Sequence, residues 1–316
     1  VSVVIPTHQR GAQLGAALDE ILANTAPAEV IVVDDGSTDG TAELLRRRAG
    51  AEPRLRVIVQ ANAGAMSARL RGAREATGEV VLLLDDDVIP EPGIADAHAR
   101  RHAGDERLVL TGYMPLPPAR SHRRSYPRDI YAGTYELHCR ACEAEPARVL
   151  QALWGGHVSL RRDALLGLEP RLREVDMRYH EDLDFGLICA EAGLHGAFDR
   201  ALRSRHQYAR SPEGWRRDAA TSGRGLADAH ARHPAVLGPL DPAVVEAGIP
   251  APAAWLVRRS RTRAWPRRAL RLGIELLGAV RALRLQRFAA GLLWRIDQRD
   301  AAIQRTTELQ RSHQPS

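Results

Sequence analysis

The chain has 316 residues, 44% hydrophobic and 27% charged, with a formal net charge of +6 and three cysteines. That is enough apolar chain for a sizeable core and too balanced a composition for disorder, and no run of about 18 uncharged apolar residues offers a conventional transmembrane helix. All 45 basic residues are arginine, which excludes Schiff-base chemistry on a lysine and a lysine-dependent phosphate loop.

Short β-branched runs at Val1–Ile5, Val30–Val33, Leu55–Val59 and Val80–Leu84 predict strands. Helical patterns fall between and after them, at about Ala12–Ala23, Thr41–Arg48, Ala65–Ala76 and Pro92–Arg101. Apolar strands alternating with helices argue an α/β fold with a doubly wound, mainly parallel sheet, whose ligands bind at the carboxyl ends of the strands. The four prolines among residues 113–128 predict an irregular loop, and His157–Arg161 a further strand in a second αβ stretch that reaches His206. A Pro/Ala-rich linker is expected over 234–256 and a long helical region over Arg267–Gln304. Val1–Ile5 does not read as a signal peptide, and three cysteines fit a reducing cytoplasm.

The charge is uneven. From Arg258 onward 14 Arg stand against Glu275, Asp297, Asp300 and Glu308, a balance of +10 that leaves −4 on residues 1–257. Within the tail, Leu285, Phe288, Leu292 and Ile296 share one helical face, while Leu272, Leu276, Val280 and Leu283 make a second stripe. Two stripes exceed what one packing contact needs. The tail therefore reads either as packed helices or as a means of association, through a homodimer contact or peripheral contact with an anionic membrane.

Three segments carry chemistry. In VIVVDDGSTD, Asp34 or Asp35 would accept a hydrogen bond from a nucleobase imide, unless the motif is only a capped turn. In VVLLLDDDVIP, three carboxylates end a strongly apolar strand, where a local bend would converge Asp85 and Asp87 on one divalent ion and its diphosphate; hard oxygen ligands select Mg²⁺ or Mn²⁺. In YHEDLDFGLICA, Glu181 and Asp182 open a helix, where a carboxylate either complements the helix dipole or serves as a general base. The C-x-x-C of Cys139 and Cys142 lacks a second pair and reads as reduced cysteines in a helix rather than as zinc ligands.

In their order and spacing these segments, with VSVVIPTHQR, ANAGAMSARLRGAREATGEVVLLLDDDV and WGGHVSLRR, resemble the family 2 glycosyltransferases of GT-A fold over about residues 1–235. The resemblance implies a catalytic domain at 1–233, with a nucleotide-sugar half at 1–112 and an acceptor half at 113–233, followed by the linker and a basic helical extension at 257–316. It assigns Pro6, Thr7, Arg10, Asp34, Asp35, Arg69, Asp85 and Asp86 to the donor nucleotide. Asp85, Asp87 and His206 fall to the metal, Asp182 with Glu181 beside it to the base, and Trp154, Gly155, Gly156 and His157 to the acceptor. By their residue types alone, His157 and His206 read equally as packing or structural histidines and Trp154 as a core filler. The implied reaction is a metal-assisted, inverting transfer of a hexosyl-type sugar from a nucleoside-diphosphate sugar to an acceptor hydroxyl, in the cytoplasm or at the inner membrane face. Two other readings compete. A sugar-phosphate nucleotidyltransferase usually has a Gly-rich first loop that PTHQRGAQ lacks, and a nucleic-acid arm in the tail would want interleaved aromatics.

Overall fold

The β-branched runs fold as strands β1 (Ser2–Thr7), β2 (Glu29–Asp35), β3 (Leu55–Gln60) and β4 (Val80–Leu84), separated by helices α1 (Gly11–Asn24), α2 (Thr41–Ala49) and α3 (Ala65–Glu75). Then follow β5 (Val88–Pro90), α4 (Ile94–His102), β6 (Leu108–Tyr113), α5 (Tyr126–Ala144), α6 (Arg148–Gln151), β7 (His157–Arg161), α7 (Arg162–Gly167), α8 (Glu169–Leu172), α9 (Glu181–Glu191) and β8 (His195–His206). The computed structural model describes residues 1–173, 177, 179–241, 251–260 and 264–312.

The sheet order is β3-β2-β1-β4-β7-β6-β8-β5. Strands β1 to β4 pair in parallel, as does β6 with β8, whereas β7 runs antiparallel to β4 and β6, and β5 antiparallel to β8. The expected mainly parallel α/β sheet is therefore present, with two reversals that matter for the site. Because β7 runs against β4, Leu84 pairs with His157, so the Trp154–Gly156 loop arrives at the end of β4 where Asp85 begins. Pairing of Val88 with His206 likewise brings the end of β8 beside Asp87.

The residues divide into two compact units, Val1–Pro117 with Tyr135–Asp176 and Asp182–Tyr208, and Pro118–Thr134 with Met177–Glu181 and Ala209–Ser316. In the first unit, Val4, Ile31, Val33, Val81, Leu83 and Val158 of the sheet pack with Leu70 of α3 and Phe185 and Ile188 of α9. Each such side chain contributes about 1.5–3 kcal/mol when fully buried.

The opposite face of the sheet holds a buried polar chain. His157 and Ser159, two apart on β7, face one side of the sheet, and His98 and His102, one turn apart on α4, meet them there. Ring nitrogens Nε2 of His98 and His157 lie 2.8 Å apart; Ser159 Oγ sits 2.6 Å from His98 Nδ1 and 2.7 Å from His102 Nε2, and Ser204 Oγ 3.0 Å from His157 Nδ1. Burial holds these rings neutral, pushing His157 down to about 3 and His102 to about 4, with His98 also well below its ordinary value. Once unfolded they titrate near pH 6.5, so the unfolded chain takes up the extra protons below that value. Their contribution to stability is complete above about pH 6.5 and is lost as the pH falls towards 4 and 3. We expect urea midpoints to drop steeply over that interval. His157→Asn should flatten the dependence by about one proton, or about 1.4 kcal/mol per pH unit; an unaltered slope would remove His157 from the acid response.

The second unit is helical: the first turns of α5, then α10 (Pro212–Arg232), α11 (Pro234–Leu237), α12 (Ala251–Arg259), α13 (Trp265–Ala279) and α14 (Leu283–Ser312). Its core joins Tyr126, Trp215 and Trp294, with Trp215 edge-on to Tyr126 at 5.6 Å and tilted on Trp294 at 4.6 Å. Helix α10 approaches α14 closely because Gly223 presents no side chain; a Cβ there would overlap the Gln298 carbonyl. Arg299 is wholly buried with its charge satisfied, donating to Val257 O at 2.6 Å, Ser260 Oγ at 3.0 Å and Asp300.

Four expectations change here. The boundary expected after residue 233 does not coincide with the units, because α10 packs in the second unit through its small residues. The expected linker holds α11 and the start of α12, with 242–250 outside the described residues. The long helical region is two helices, broken where Arg281 takes φ +56°. The Leu285 stripe is also split: Leu292 and Ile296 are buried, while Leu285 and Phe288 are exposed.

Candidate active site

The strand ends of the first unit deliver a cluster of carboxylates held by two arginines. Arg69, buried on α3, donates from Nη2 to Asp85 Oδ1 at 2.7 Å and from Nη1 to Asp182 Oδ1 at 3.3 Å. Arg10, just before α1, donates to Asp86 Oδ1 at 3.1 Å and to Asp87 Oδ2 at 2.8 Å. Three adjacent acids at the end of an apolar strand would repel one another; these guanidiniums offset that repulsion.

Alternation along the chain then separates the three. Asp86 turns inward, where it also accepts from Thr7 Oγ1 at 2.7 Å, and burial pushes it up to about 6 against the pull of Arg10 and Thr7. It ties the end of β1 to the end of β4 and faces protein on both oxygens. Asp87 lies with its Oδ1 3.4 Å from His206 Nε2. Burial alone would raise the Asp87 carboxyl, but His206 and Arg10 outweigh it and hold the group below its ordinary value.

Asp182, at the start of α9, is half-buried and accepts from the Gly155 N–H at 2.9 Å. Burial pushes its carboxyl up, Arg69 pulls it down, and the Asp85 charge adds to the rise. The Gly155–Gly156 pair is what allows this approach: a Cβ on Gly155 would overlap the Asp182 carboxylate, and one on Gly156 would sit 3.0 Å from Asp85 Oδ2. Glu181 precedes Asp182 in sequence and is also half-buried.

At the end of β2 the two carboxylates behave differently. Asp35 is saturated, accepting from Gln60 Nε2 at 2.8 Å, Ala63 N at 2.9 Å and Gly64 N at 2.8 Å. Asp34 is wholly buried; its Oδ1 accepts from Ser37 N at 3.1 Å, and its Oδ2 has no partner among the described residues. Gly36 makes the turn between strand and loop at φ +76°, with Asn62 N 2.7 Å from where a Cβ would lie. Pro6 and Thr7 are buried at the end of β1, and His8 beyond them places Nδ1 2.8 Å from Asp35 O.

The structure thus brings Arg10, Asp85, Asp87, Arg69, Asp182, Gly155, Gly156 and His206 to one group of strand ends. It does not bring His157 there: the ring is fully buried, closed off by Gly112 and bonded to His98 and Ser204, so it presents no surface to an acceptor. Trp154 stacks on His138, centroids 5.1 Å apart and nearly parallel, and lies 5.1 Å from Tyr135. Those two α5 partners were not singled out from the sequence for this loop; their three-residue spacing on one helical face is the available signal. Cys139 and Cys142 are buried and free, as is Cys189.

Among the described residues no group of three or more His, Cys, Asp or Glu side chains is gathered as a ready metal site, since Asp85 turns to Arg69. The donor types nevertheless suit a hard divalent ion. Two ligands about 2.1 Å from one ion, at a right angle or somewhat wider, stand roughly as far apart as Asp87 Oδ1 and His206 Nε2.

Residues 2–165 match the family model described as glycosyl transferase family 2, and the chain belongs to that family. Among curated relatives, an uncharacterized glycosyltransferase, YibD of Escherichia coli, is 39% identical over 93 residues, 28% of this chain and 27% of its own. A validoxylamine A glucosyltransferase of Streptomyces hygroscopicus subsp. jinggangensis is 38% identical over 130 residues, 37% of this chain and 30% of its own. The chain therefore spans less than a third of the length of these two relatives. Of solved structures, the mannosyltransferase PcManGT of Pyrobaculum calidifontis, in complex with GDP-Man and Mn²⁺, superposes with a TM-score of 0.60 at 20% identity, over 97% of this chain and 86% of that one. GalNAc-T7 with UDP, GalNAc and Mn²⁺ gives 0.51 at 15% identity, over 79% and 52%. The architecture is the GT-A type that the sequence motifs imply. No helix among the described residues is long and apolar enough to cross a membrane.

Proposed function

We propose that the chain transfers a sugar from a nucleoside-diphosphate sugar to an acceptor hydroxyl with inversion. The observation that carries this reading is the Asp182 carboxylate, raised by burial, fixed by the Gly155 N–H and sharing Arg69 with Asp85. A base must be deprotonated yet willing to accept a proton, and this surrounding tunes Asp182 in that direction.

In this reading Asp182 takes the proton of the acceptor hydroxyl as its oxygen attacks the anomeric carbon. The bond from that carbon to the diphosphate breaks, and the diphosphate leaves with the electron pair. Arg69 faces the developing negative charge, and Arg10 orders the Asp86–Asp87 turn below it. Asp34 and Asp35 form the base-recognition end, where Asp34 Oδ2 is buried without a partner among the described residues. Asp85, Asp87 and His206 would hold Mg²⁺ or Mn²⁺, which when bound would neutralise charge on the diphosphate. Trp154 with Gly155 and Gly156 forms the acceptor side, where an indole can stack on a sugar ring. The Mn²⁺ complexes of the two structural neighbours, with GDP-Man in one and UDP and GalNAc in the other, support a nucleotide-sugar donor with a divalent metal.

A thermal-shift panel of nucleotide sugars with and without Mn²⁺ tests the reading. The true donor should raise the melting temperature most with metal present, and release of nucleoside diphosphate should follow. Release of pyrophosphate instead would reassign the chain as a nucleotidyltransferase.

A further inference from the structure

We infer that the outward face of α13 and the first two turns of α14 form a docking surface for an anionic lipid bilayer, lying in its interface. The surface belongs to the second unit and does not depend on the reaction proposed above. Helix α13 has two apolar faces. Leu270, Ile274 and Gly278 are buried on one. On the other, Trp265, Leu272, Leu276 and Val280 recur at i, i+7, i+11 and i+15, with exposures of 46%, 61%, 58% and 73%. Leu285 and Phe288 of α14 extend the exposed set at 59% and 48%.

A single exposed Leu needs no explanation, but a second continuous stripe of large apolar side chains does. Its flanks say what covers it. Arg268, Arg271, Arg281 and Arg284 are exposed beside the stripe and have no carboxylate partner among the described residues; Glu275 is the acid nearby. Apolar centre and arginine border match acyl chains below anionic headgroups. Trp265, with Trp255 6.1 Å away and also exposed, adds the indole pair favoured where one end of a ring is apolar and the other wet. A second copy of the chain fits less well. A two-fold contact sets a patch against itself and would face these arginines with their own kind.

The test is co-sedimentation of the full chain with vesicles of phosphatidylcholine alone or mixed with phosphatidylglycerol. Pelleting with the mixed vesicles and much less with the neutral ones is expected. Leu276→Glu should weaken it about tenfold or more, and the double change Arg271→Gln, Arg284→Gln about 10- to 30-fold. All three positions are exposed, so circular dichroism and melting should stay unchanged and separate loss of binding from loss of fold. The inference is overturned if the chain stays in solution with both vesicle types, whether as monomer, dimer or bound to an acidic protein. Equal pelleting with both vesicle types, or folded variants that bind like the parent, would overturn it too.

Discussion

Asp182→Asn should reduce turnover by about 10²- to 10⁴-fold while leaving nucleoside-diphosphate affinity within a few-fold of the parent. The amide keeps the size of the carboxylate, and its one oxygen keeps one of the two contacts, since Arg69 meets Oδ1 and the Gly155 N–H meets Oδ2; Arg69 also stays held by Asp85, so the site should stay assembled. What it cannot do at neutral pH is take a proton. The check is a pair of measurements, initial rates with a competent donor and acceptor, and calorimetric titration with the nucleoside diphosphate. Undiminished transfer would hand the role to the neighbouring Glu181; affinity lost together with rate would make Asp182 a structural anchor for Arg69.

Asp87→Ala is the second large effect. It removes the oxygen beside His206 and leaves Arg10 with Asp86 alone. Metal-dependent nucleotide binding should weaken by more than the roughly 10–100-fold that loss of an outer partner costs at a metal site. Asp86→Ala makes the informative contrast. It removes the acceptor that joins Thr7 to the turn, so the expected damage falls first on stability. Titration of nucleoside diphosphate with Mn²⁺, alongside thermal melting of both variants, tells the two apart. Equal Mn²⁺-dependent affinity in Asp87→Ala and parent would take Asp87 out of the metal site.

Much of this was legible before any fold was seen, and for physical reasons. The four apolar runs had to be buried strands, and an acid triplet at the end of one had to be compensated by cations. Which cations was not legible, because Arg10 lies 76 residues from Asp86 and Arg69 lies 113 from Asp182, distances that only the sheet order closes. The division of labour within Asp85-Asp86-Asp87 was equally hidden, since it depends on Thr7 waiting beneath the middle residue. For His157 the sequence leaves acceptor contact and packing open, and the structure takes the second. Its neighbours Gly155 and Gly156 do line the carboxylate cluster, but β7 begins at His157, and the pleat turns its ring into the core. Helix α10 was placed with the catalytic half because its own sequence does not reveal the α14 backbone that Gly223 accommodates.

The buried polar chain of His102, Ser159, His98, His157 and Ser204 has one more property. Where two neutral imidazoles meet through the same kind of nitrogen, one must carry the hydrogen and the other the lone pair. If His98 Nε2 carries it, His98 Nδ1 accepts from Ser159, Ser159 accepts from His102, and His157 Nδ1 donates to Ser204. If His157 Nε2 carries it, the His98–Ser159 and His157–Ser204 bonds run the other way, while the two lone pairs of Ser159 Oγ let it accept from His102 as before. The tautomers of His98 on α4 and His157 on β7 are therefore correlated with each other and with the direction of the Ser204 hydroxyl, and these three side chains behave as a single two-valued element. Reversing the proton at Ser204 obliges a reversal at His98, which lies more than a hundred residues away in the chain.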